Sequence, residues 1–551
     1  MKRRDLIKNL ALTIPAFSVS KKATAEIFAG LPPEDEKILT GKFIPSWDSL
    51  KQYQTPDWFK NAKFGMWAHW GPQCEPAWGD WYARRMYQEG SDAYKWHLKK
   101  YDHPSKFGFK DVINEWKADK FDPEALVSLY KKAGAKYFVA LANHHDNFDN
   151  FKSKHHAWNS TKIGPKKDLI KGWEKAARKH GLHFGVSVHA SHAWTWYETA
   201  QGADKKGEFA NIPYDGNITA KDGKGKWWDG LDPQELYVQN HPLSVDDPAN
   251  KGNYKHWKWN TGANKPTEAH LRKYRNRLIQ LINDYNPDLI YFDDNVLPFN
   301  YISDVGLEII AHFYNTSLKR NAGKMQAIVN TKELDEAQRQ CMVWDIERGV
   351  SNTIETFNWQ VDTCIGGWHY NQSIYDKNEY KSAKTVIHML IDVVSKNGNL
   401  LLNIPVRGDG TIDEKEQKIV EDITDWMHQY SECIYDTIPW KKYAEGPALE
   451  GLAKLEGHGF NEGKGKPFTG EDIRFTVKGN TLYAITLGTP SNNKVVIKSL
   501  SQGNELYPKE IQKVSLVNTK ESLRFTRDSN GLTVYLPESV NNAFAYALAI
   551  Q

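Results

Sequence analysis

The chain has little cysteine: four residues, at positions 74, 341, 364 and 433, and no C-x-x-C pair among its 551 positions. That spacing supplies neither a disulfide framework nor a thiolate metal site. Net charge is also small, +4, which excludes the strongly basic footprint of a nucleic-acid binder. No stretch approaches the ~20 consecutive apolar residues that a membrane-spanning helix needs. Aromatic residues, in contrast, are abundant: 21 Trp, 26 Tyr and 22 Phe. Tryptophan recurs beside histidine and aspartate in polar segments, as in WAHWG (67–71), GDWY (79–82) and HAWTWYE (192–198). An aromatic face next to a polar group suits a sugar, which presents an apolar C–H face and a hydroxyl edge.

The length implies two or three domains. Residues 1–25 have the three parts of an export signal: a basic start (Lys2, Arg3, Arg4), a short apolar run (Asn9–Phe17) and an A-x-A-like site at Ala23-Thr24-Ala25. Arg3-Arg4-Asp5-Leu6-Ile7-Lys8 also resembles a twin-arginine signal. The expected location is therefore periplasmic or secreted. Residues 26–55 read as a linker.

From residue 56 to 437 strand-like and helix-like segments alternate. The organising stretch is Asp288-Leu289-Ile290-Tyr291-Phe292-Asp293-Asp294-Asn295, a buried strand whose end turns acidic. The helical pattern 268–285 precedes it and is closed by Asn286-Pro287. Other strands are expected at 64–70, 136–142, 183–189, 324–330, 342–345 and 399–405, and 359–370 reads as a polar-aromatic segment. Asp122-Pro123 opens a helix, with Asp as cap and Pro at the first position, and Gly134 ends it. About eight strand-to-helix steps fit this interval, which predicts a (β/α)8-like barrel with insertions. The longest insertion, 191–265, follows a strand end and reads as a lid or substrate-shaping excursion. From 438 to 551 short alternating strands separated by Gly, Asn and Pro predict an all-β sandwich, read as a structural buttress.

In such barrels the chemistry sits at the C-terminal ends of the strands. Here those ends carry His69, His144 with His145, His189, Asp293 and Glu347. Zinc is disfavoured, because two adjacent histidines on one strand point to opposite faces. No metal or other cofactor is expected. Carboxylates on two different strands suit glycoside hydrolysis, one attacking the anomeric carbon or activating water and the other protonating the leaving oxygen. Period-two alternation lets only one of Asp293 and Asp294 face the pocket.

The stretches WFKNAKFGMWAHWG, GDWYARRMY, KYFVALANHHDNF, DLIYFDDN, DIERG and VVSKNGNLLLNIPVRGDGTI, with ECIYDTIPW and IRFTVKGNTLYAITLG nearer the C-terminus, resemble the α-L-fucosidases of glycoside hydrolase family 29. The resemblance covers nearly the whole chain after the signal. It implies a retaining exo-fucosidase with a covalent glycosyl-enzyme intermediate, acting on a fucosylated oligosaccharide or polysaccharide. It assigns Asp293 as nucleophile and Glu347 as acid/base, with Glu355 and then Asp345 next in line. It makes His69, His144 and His145 fucose-hydroxyl binders, with Asp80, Trp81 and Trp368 beside the sugar. Asp80 stands where the family often has Glu, and Lys332 where many members have Arg. The competing readings are an α-L-galactosidase of the same mechanism, a catalytically silent glycan-binding homologue, and a metallohydrolase using His69, His144, His145 and Asp293.

The export reading makes a simple prediction. Protein recovered from its native host should have a mature N-terminus near Glu26 by mass spectrometry; intact Met1 in a cytoplasmic fraction would reject it.

Overall fold

The computed structural model describes residues 34–245, 257–455, 459–490, 492–537 and 544–551. The expected export signal and the first part of the linker lie outside the described residues. Eight parallel strands close into a barrel: β1 (Phe64–Ala68), β2 (Tyr137–Asn143), β3 (His183–Val188), β4 (Leu289–Asn295), β5 (Ile328–Lys332), β6 (Val343–Glu347), β7 (Trp359–Cys364) and β8 (Gly398–Asn403). Six helices pack around it: α1 (Pro123–Lys132), α2 (Leu169–Lys179), α3 (Glu268–Tyr285), α4 (Val305–Arg320), α5 (Ala383–Ser395) and α6 (Glu414–Tyr430). The caps follow the sequence. Asp122, Asp168, Thr267, Ser382 and Asp413 each accept a backbone N–H from the first turn of their helix.

The strands alternate strictly between two environments. Ile290 and Phe292 of β4 join the outer core beneath the helices, whereas Leu289 and Tyr291 join the cluster inside the barrel. Ile328 of β5 and Val343 of β6 belong to that inner cluster too, and the helix Asp57–Ala62 closes its lower end with Phe59. Gly65 has to lack a side chain: a Cβ there would lie 2.3 Å from the Tyr137 ring that fills the barrel. Above this apolar layer the interior turns polar. Gln360 accepts from the Tyr137 hydroxyl (2.8 Å) and donates to Asp345 (2.6 Å), and Asp362 accepts from the Tyr291 hydroxyl (2.9 Å).

Two strands differ from the sequence reading. The segment 359–364, read only as polar-aromatic, is β7. Its inward residues Gln360 and Asp362 are buried polar groups with partners, so apolar alternation does not mark it. The strand expected at 324–330 runs instead from 328 to 332, because β4 and β6 offer its register at Ile328 and beyond. Between β5 and β6 there is only a single 3-10 turn (Gln338–Gln340), and 348–358 joins β6 to β7 without a helix. The 191–265 insertion carries short helical turns at Ala193–Trp196, Pro233–Tyr237 and elsewhere, and it buries Trp194, Trp196, Tyr214 and Trp228. Residues 246–256 of it lie outside the described residues.

The C-terminal region forms two antiparallel sheets that share one core. One contains β9 (Ile438–Glu445), β10 (Ile473–Lys478), β11 (Thr481–Thr486), β13 (Val514–Leu516) and β16 (Tyr546–Ile550); the other contains β12 (Lys494–Ile497), β14 (Phe525–Asp528) and β15 (Gly531–Tyr535). This is the expected sandwich. It is docked on the barrel through a buried ion cluster: Asp392 of α5 accepts from Arg474 of β10 (2.5 Å) and from Lys396 (2.7 Å). Removing one partner of a buried cluster leaves uncompensated charge, at a cost of about 3–5 kcal/mol. Asp392→Ala is therefore expected to lower the unfolding midpoint in urea by a corresponding amount, and an unchanged midpoint would show that the cluster does not hold the two parts together.

Candidate active site

The uppermost inward positions of four successive strands are Asp293 (β4), Lys332 (β5), Glu347 (β6) and Asp362 (β7). All four line one cavity of about 760 Å³ at the C-terminal rim. Lys332 Nζ donates to Asp293 Oδ1 and to Glu347 Oε2, so a single ammonium joins the two candidate catalytic carboxyls. It cannot touch two oxygens more than roughly 6 Å apart. The other oxygen of Asp293 is held by His145 Nε2 (3.0 Å) and His189 Nδ1 (3.1 Å). Asp294 borders the cavity too, but its carboxyl turns to the insertion and accepts from Ser191 Oγ (2.7 Å).

These surroundings drive the two carboxyls apart. Burial raises the pKa of Asp293, but Lys332, His189 and the imidazole hydrogen bonds together hold it well below the usual carboxylate range. At Glu347 burial wins over the attraction of Lys332, with Asp362 and Asp293 adding repulsion, and the carboxyl is pushed up to about 7. Lys332, facing Asp293, Glu347 and Asp362, stays charged against its own burial. Beneath them Asp345 is raised well above the ordinary carboxylate range by burial and by Asp362. One carboxylate and one carboxylic acid facing a single cavity are what acid/base division of labour requires.

Histidines form the opposite wall. The rings of His69, His144, His189 and His369 neighbour one another, with centroids 4.7–5.1 Å apart for His69 against the other three. Burial keeps His69 and His144 well below the ordinary histidine value, and His189 down to about 4, so these rings are neutral. Gln73 accepts from the Ala83 N–H (3.1 Å) through Oε1, so its amide nitrogen donates to His144 Nδ1 (2.7 Å). The His144 proton therefore sits on Nε2. Both nitrogens of His69, and Nε2 of His189, lack a hydrogen-bond partner within the protein. Buried polar atoms of this kind await ligand hydroxyls. His69, Asp80, His144 and His369 also bring one donor atom each within 4.8 Å of one another. Within that group Asp80 Oδ1 already accepts from His369 Nδ1 (2.8 Å).

Most of the expected site residues converge. His69, Asp80, Trp81, His144 and Trp368 line the cavity with Asp293 and Glu347. His144 and His145 do not point to opposite faces of a strand, because both follow the last residue of β2, and their ring centroids are 4.4 Å apart. His145 does not offer a nitrogen to a ligand: one contacts Asp293 and the other the His189 carbonyl (2.7 Å). Glu355 lies elsewhere, bound to Arg339 (3.1 Å) and Ser351. Asp345 is below the cavity floor. Sequence reading missed Asp362, His369 and Trp257, and did not place Lys332 in the site. Counting in twos from Ile328 would have reached Lys332. Trp257, stacked against Trp81 at 5.8 Å, comes from the long insertion, where no periodic signal exists.

A closed parallel barrel whose C-terminal rim carries one carboxyl shifted down and one shifted up is a frame that glycoside hydrolases use. Residues 32–432 match the family model described as alpha-L-fucosidase, and residues 466–551 match that of the alpha-L-fucosidase C-terminal domain. The chain belongs to the α-L-fucosidase family, glycoside hydrolase family 29. It is similar to the tissue alpha-L-fucosidase of Rattus norvegicus, 26% identical over 509 residues that cover 90% of this chain and 89% of that protein. The corresponding human protein is 24% identical over 90% of this chain and 88% of its own length. Among solved structures, Thermotoga maritima alpha-fucosidase in complex with fucose has a TM-score of 0.65 at 24% identity, covering 92% of this chain and all of that one. The isoenzyme 1 alpha-L-fucosidase of Paenibacillus thiaminolyticus has a TM-score of 0.58 at 18% identity, over 92% of this chain and 99% of that one.

The pH dependence follows from Glu347. A general acid must hold its proton, so kcat/KM should fall as pH rises through about 7. Glu347→Gln should remove that basic limb along with most activity toward natural substrates; a limb that persists in the variant would belong to another group.

Proposed function

We propose that the protein is a retaining, exo-acting α-L-fucosidase that releases terminal α-L-fucosyl residues from glycans through a covalent glycosyl-enzyme intermediate. The observation that carries the reading is the ammonium of Lys332 shared by Asp293 and Glu347. Its reach limits the two contacted oxygens to roughly 6 Å, short of the about 6.5–9.5 Å that an inverting enzyme needs to admit water between its carboxyls, which favours the closer spacing of about 5–5.5 Å of a retaining enzyme. The fucosidase relatives support the sugar assignment.

In this mechanism the fucosyl ring enters first. Neutral His69, His144 and His189 bond its hydroxyls, and Trp81 and Trp368 pack against its C–H surface. Asp293, kept ionised, attacks the anomeric carbon. Glu347, kept protonated, gives its proton to the departing glycosidic oxygen and so becomes a carboxylate. Lys332 then faces a carboxylate at Glu347 as the charge on Asp293 is consumed in the new ester bond, so its contact with Glu347 strengthens as the other weakens. In the second half Glu347 takes a proton from water, the water oxygen bonds to the anomeric carbon, and Asp293 is released. Two displacements return the original configuration.

The two carboxyls should fail in opposite ways. Asp293→Gly is expected to lose nearly all turnover, and azide entering the vacated space should give β-fucosyl azide. Glu347→Ala should slow natural fucosides by about 10²–10⁴-fold while sparing aryl fucosides with good leaving groups at the first step. Azide should then accelerate the second step and give α-fucosyl azide. If natural and activated substrates suffer equally in Glu347→Ala and azide restores neither, Glu347 is not the acid/base.

A further inference from the structure

The mouth of the cavity differs in charge from its floor. Every acidic group lining the cavity lies on or near the floor with basic or hydroxyl partners: Asp293 and Glu347 on Lys332, Asp362 on Tyr291, Asp80 on His369, Asp294 on Ser191. Besides Lys332, three cations line the same cavity: Arg85, Lys258 and Arg348. Arg85 and Lys258 are exposed, and among the described residues neither meets a carboxylate within ion-pair distance. Arg348 has one, Glu462 at 3.4 Å, which Lys381 holds more closely at 2.6 Å.

Arg85 is also held in position. Its guanidinium lies over the Trp78 ring at 5.6 Å and the Trp81 ring at 5.8 Å. A guanidinium set on aromatic faces keeps its planar fork of donors oriented, a geometry matched to the paired oxygens of a carboxylate or of a sulfate ester. Lys258 is the residue after Trp257, which stacks on the same Trp81 at 5.8 Å. Arg348 follows Glu347 directly. Phe460 stands beside it, 45% exposed, and donates its backbone N–H to the Glu347 carbonyl (2.9 Å).

An exo-acting enzyme takes the terminal residue onto the floor, so whatever crosses the mouth belongs to the leaving part of the glycan. We propose that the mouth is a subsite for an anionic leaving sugar, one bearing a sulfate ester or a carboxylate, held by Arg85 and Lys258 with Arg348 at its inner edge. This rests on the fucosidase reading above and adds the chemical class of the glycan to it. Oppositely charged groups at a mouth raise the local concentration of substrate and lower its dissociation, and both effects weaken with salt.

The test compares three sets of α-L-fucosides of matched linkage at low ionic strength: a neutral second sugar, the same sugar sulfated at each available hydroxyl in turn, and the corresponding uronate. Aryl α-L-fucoside serves as the reference for the chemistry itself. The wild-type enzyme is expected to prefer at least one charged set over the neutral one by about tenfold in kcat/KM, the scale of one or two charge-assisted hydrogen bonds. Sodium chloride should erode that preference. In the Arg85→Gln, Lys258→Gln double variant the charged-to-neutral ratio should fall to about one. A preference for the sulfated set, for the uronate, or for both supports the subsite and identifies its anion. Equal or lower kcat/KM on every charged substrate overturns it, and so does a preference that survives the double variant. An enzyme active on aryl fucoside but indifferent to charge overturns the subsite alone; one inactive on aryl fucoside overturns the underlying reading and the subsite with it.

Discussion

The site depends on one buried ammonium. Lys332 is 6% exposed and is the cation that both Asp293 and Glu347, the proposed catalytic carboxyls, touch. A lone charge in that position would be expensive to bury, as would either carboxylate without it. Together they are tolerable, and their unequal surroundings do the rest. Two imidazoles reinforce the charge on Asp293; Glu347 has no such help and is crowded by Asp362. The same lysine thus serves as counter-ion to one carboxyl and as a weaker neighbour to the other. An arginine there could also reach two carboxyls, but through a planar fork of five donors rather than a compact point charge on a flexible stem.

The barrel interior is arranged in layers that make this possible. Leu289, Ile328 and Val343 fill the lower level, and the next level is polar, with Tyr137, Gln360 and Asp345 linked in a chain of hydrogen bonds. Charges appear at the top, where ligand and solvent can reach them. Asp345 and Asp362 are the intermediate case. They are two carboxyls within reach of each other and buried together, and like charges there cannot both ionise.

Much of this was legible in the sequence, and the reasons differ by element. β4 could be read because an apolar strand runs into acid without interruption. The cap of α1 could be read because Asp122 is a polar residue of the right type just before helical periodicity begins. β7 could not, because its inward face is Gln360 and Asp362, and a polar face inside a barrel looks like a loop. His145 was found, but its contact with Asp293 was not foreseen, because distance along the chain says nothing of how a turn after β2 rotates its two rings. Trp257 was out of reach entirely: it arrives from an insertion, and only the folded chain brings it to Trp81.

The connection between β9 and β10 leaves the sandwich, crosses to the barrel rim and adds one short parallel bridge beside β6, pairing Gly459 with Glu347. Phe460 and Glu462 then bond the carbonyls of Glu347 and Arg348, and Asn461 grips Val350 through both its amide atoms. The backbone that carries the acid/base is thus gripped from outside the barrel. The two folded parts are consequently not interchangeable modules. A recombinant that joins this barrel to a relative's β9–β10 connection and sandwich would bring a foreign segment against the backbone of Glu347, the proposed proton donor.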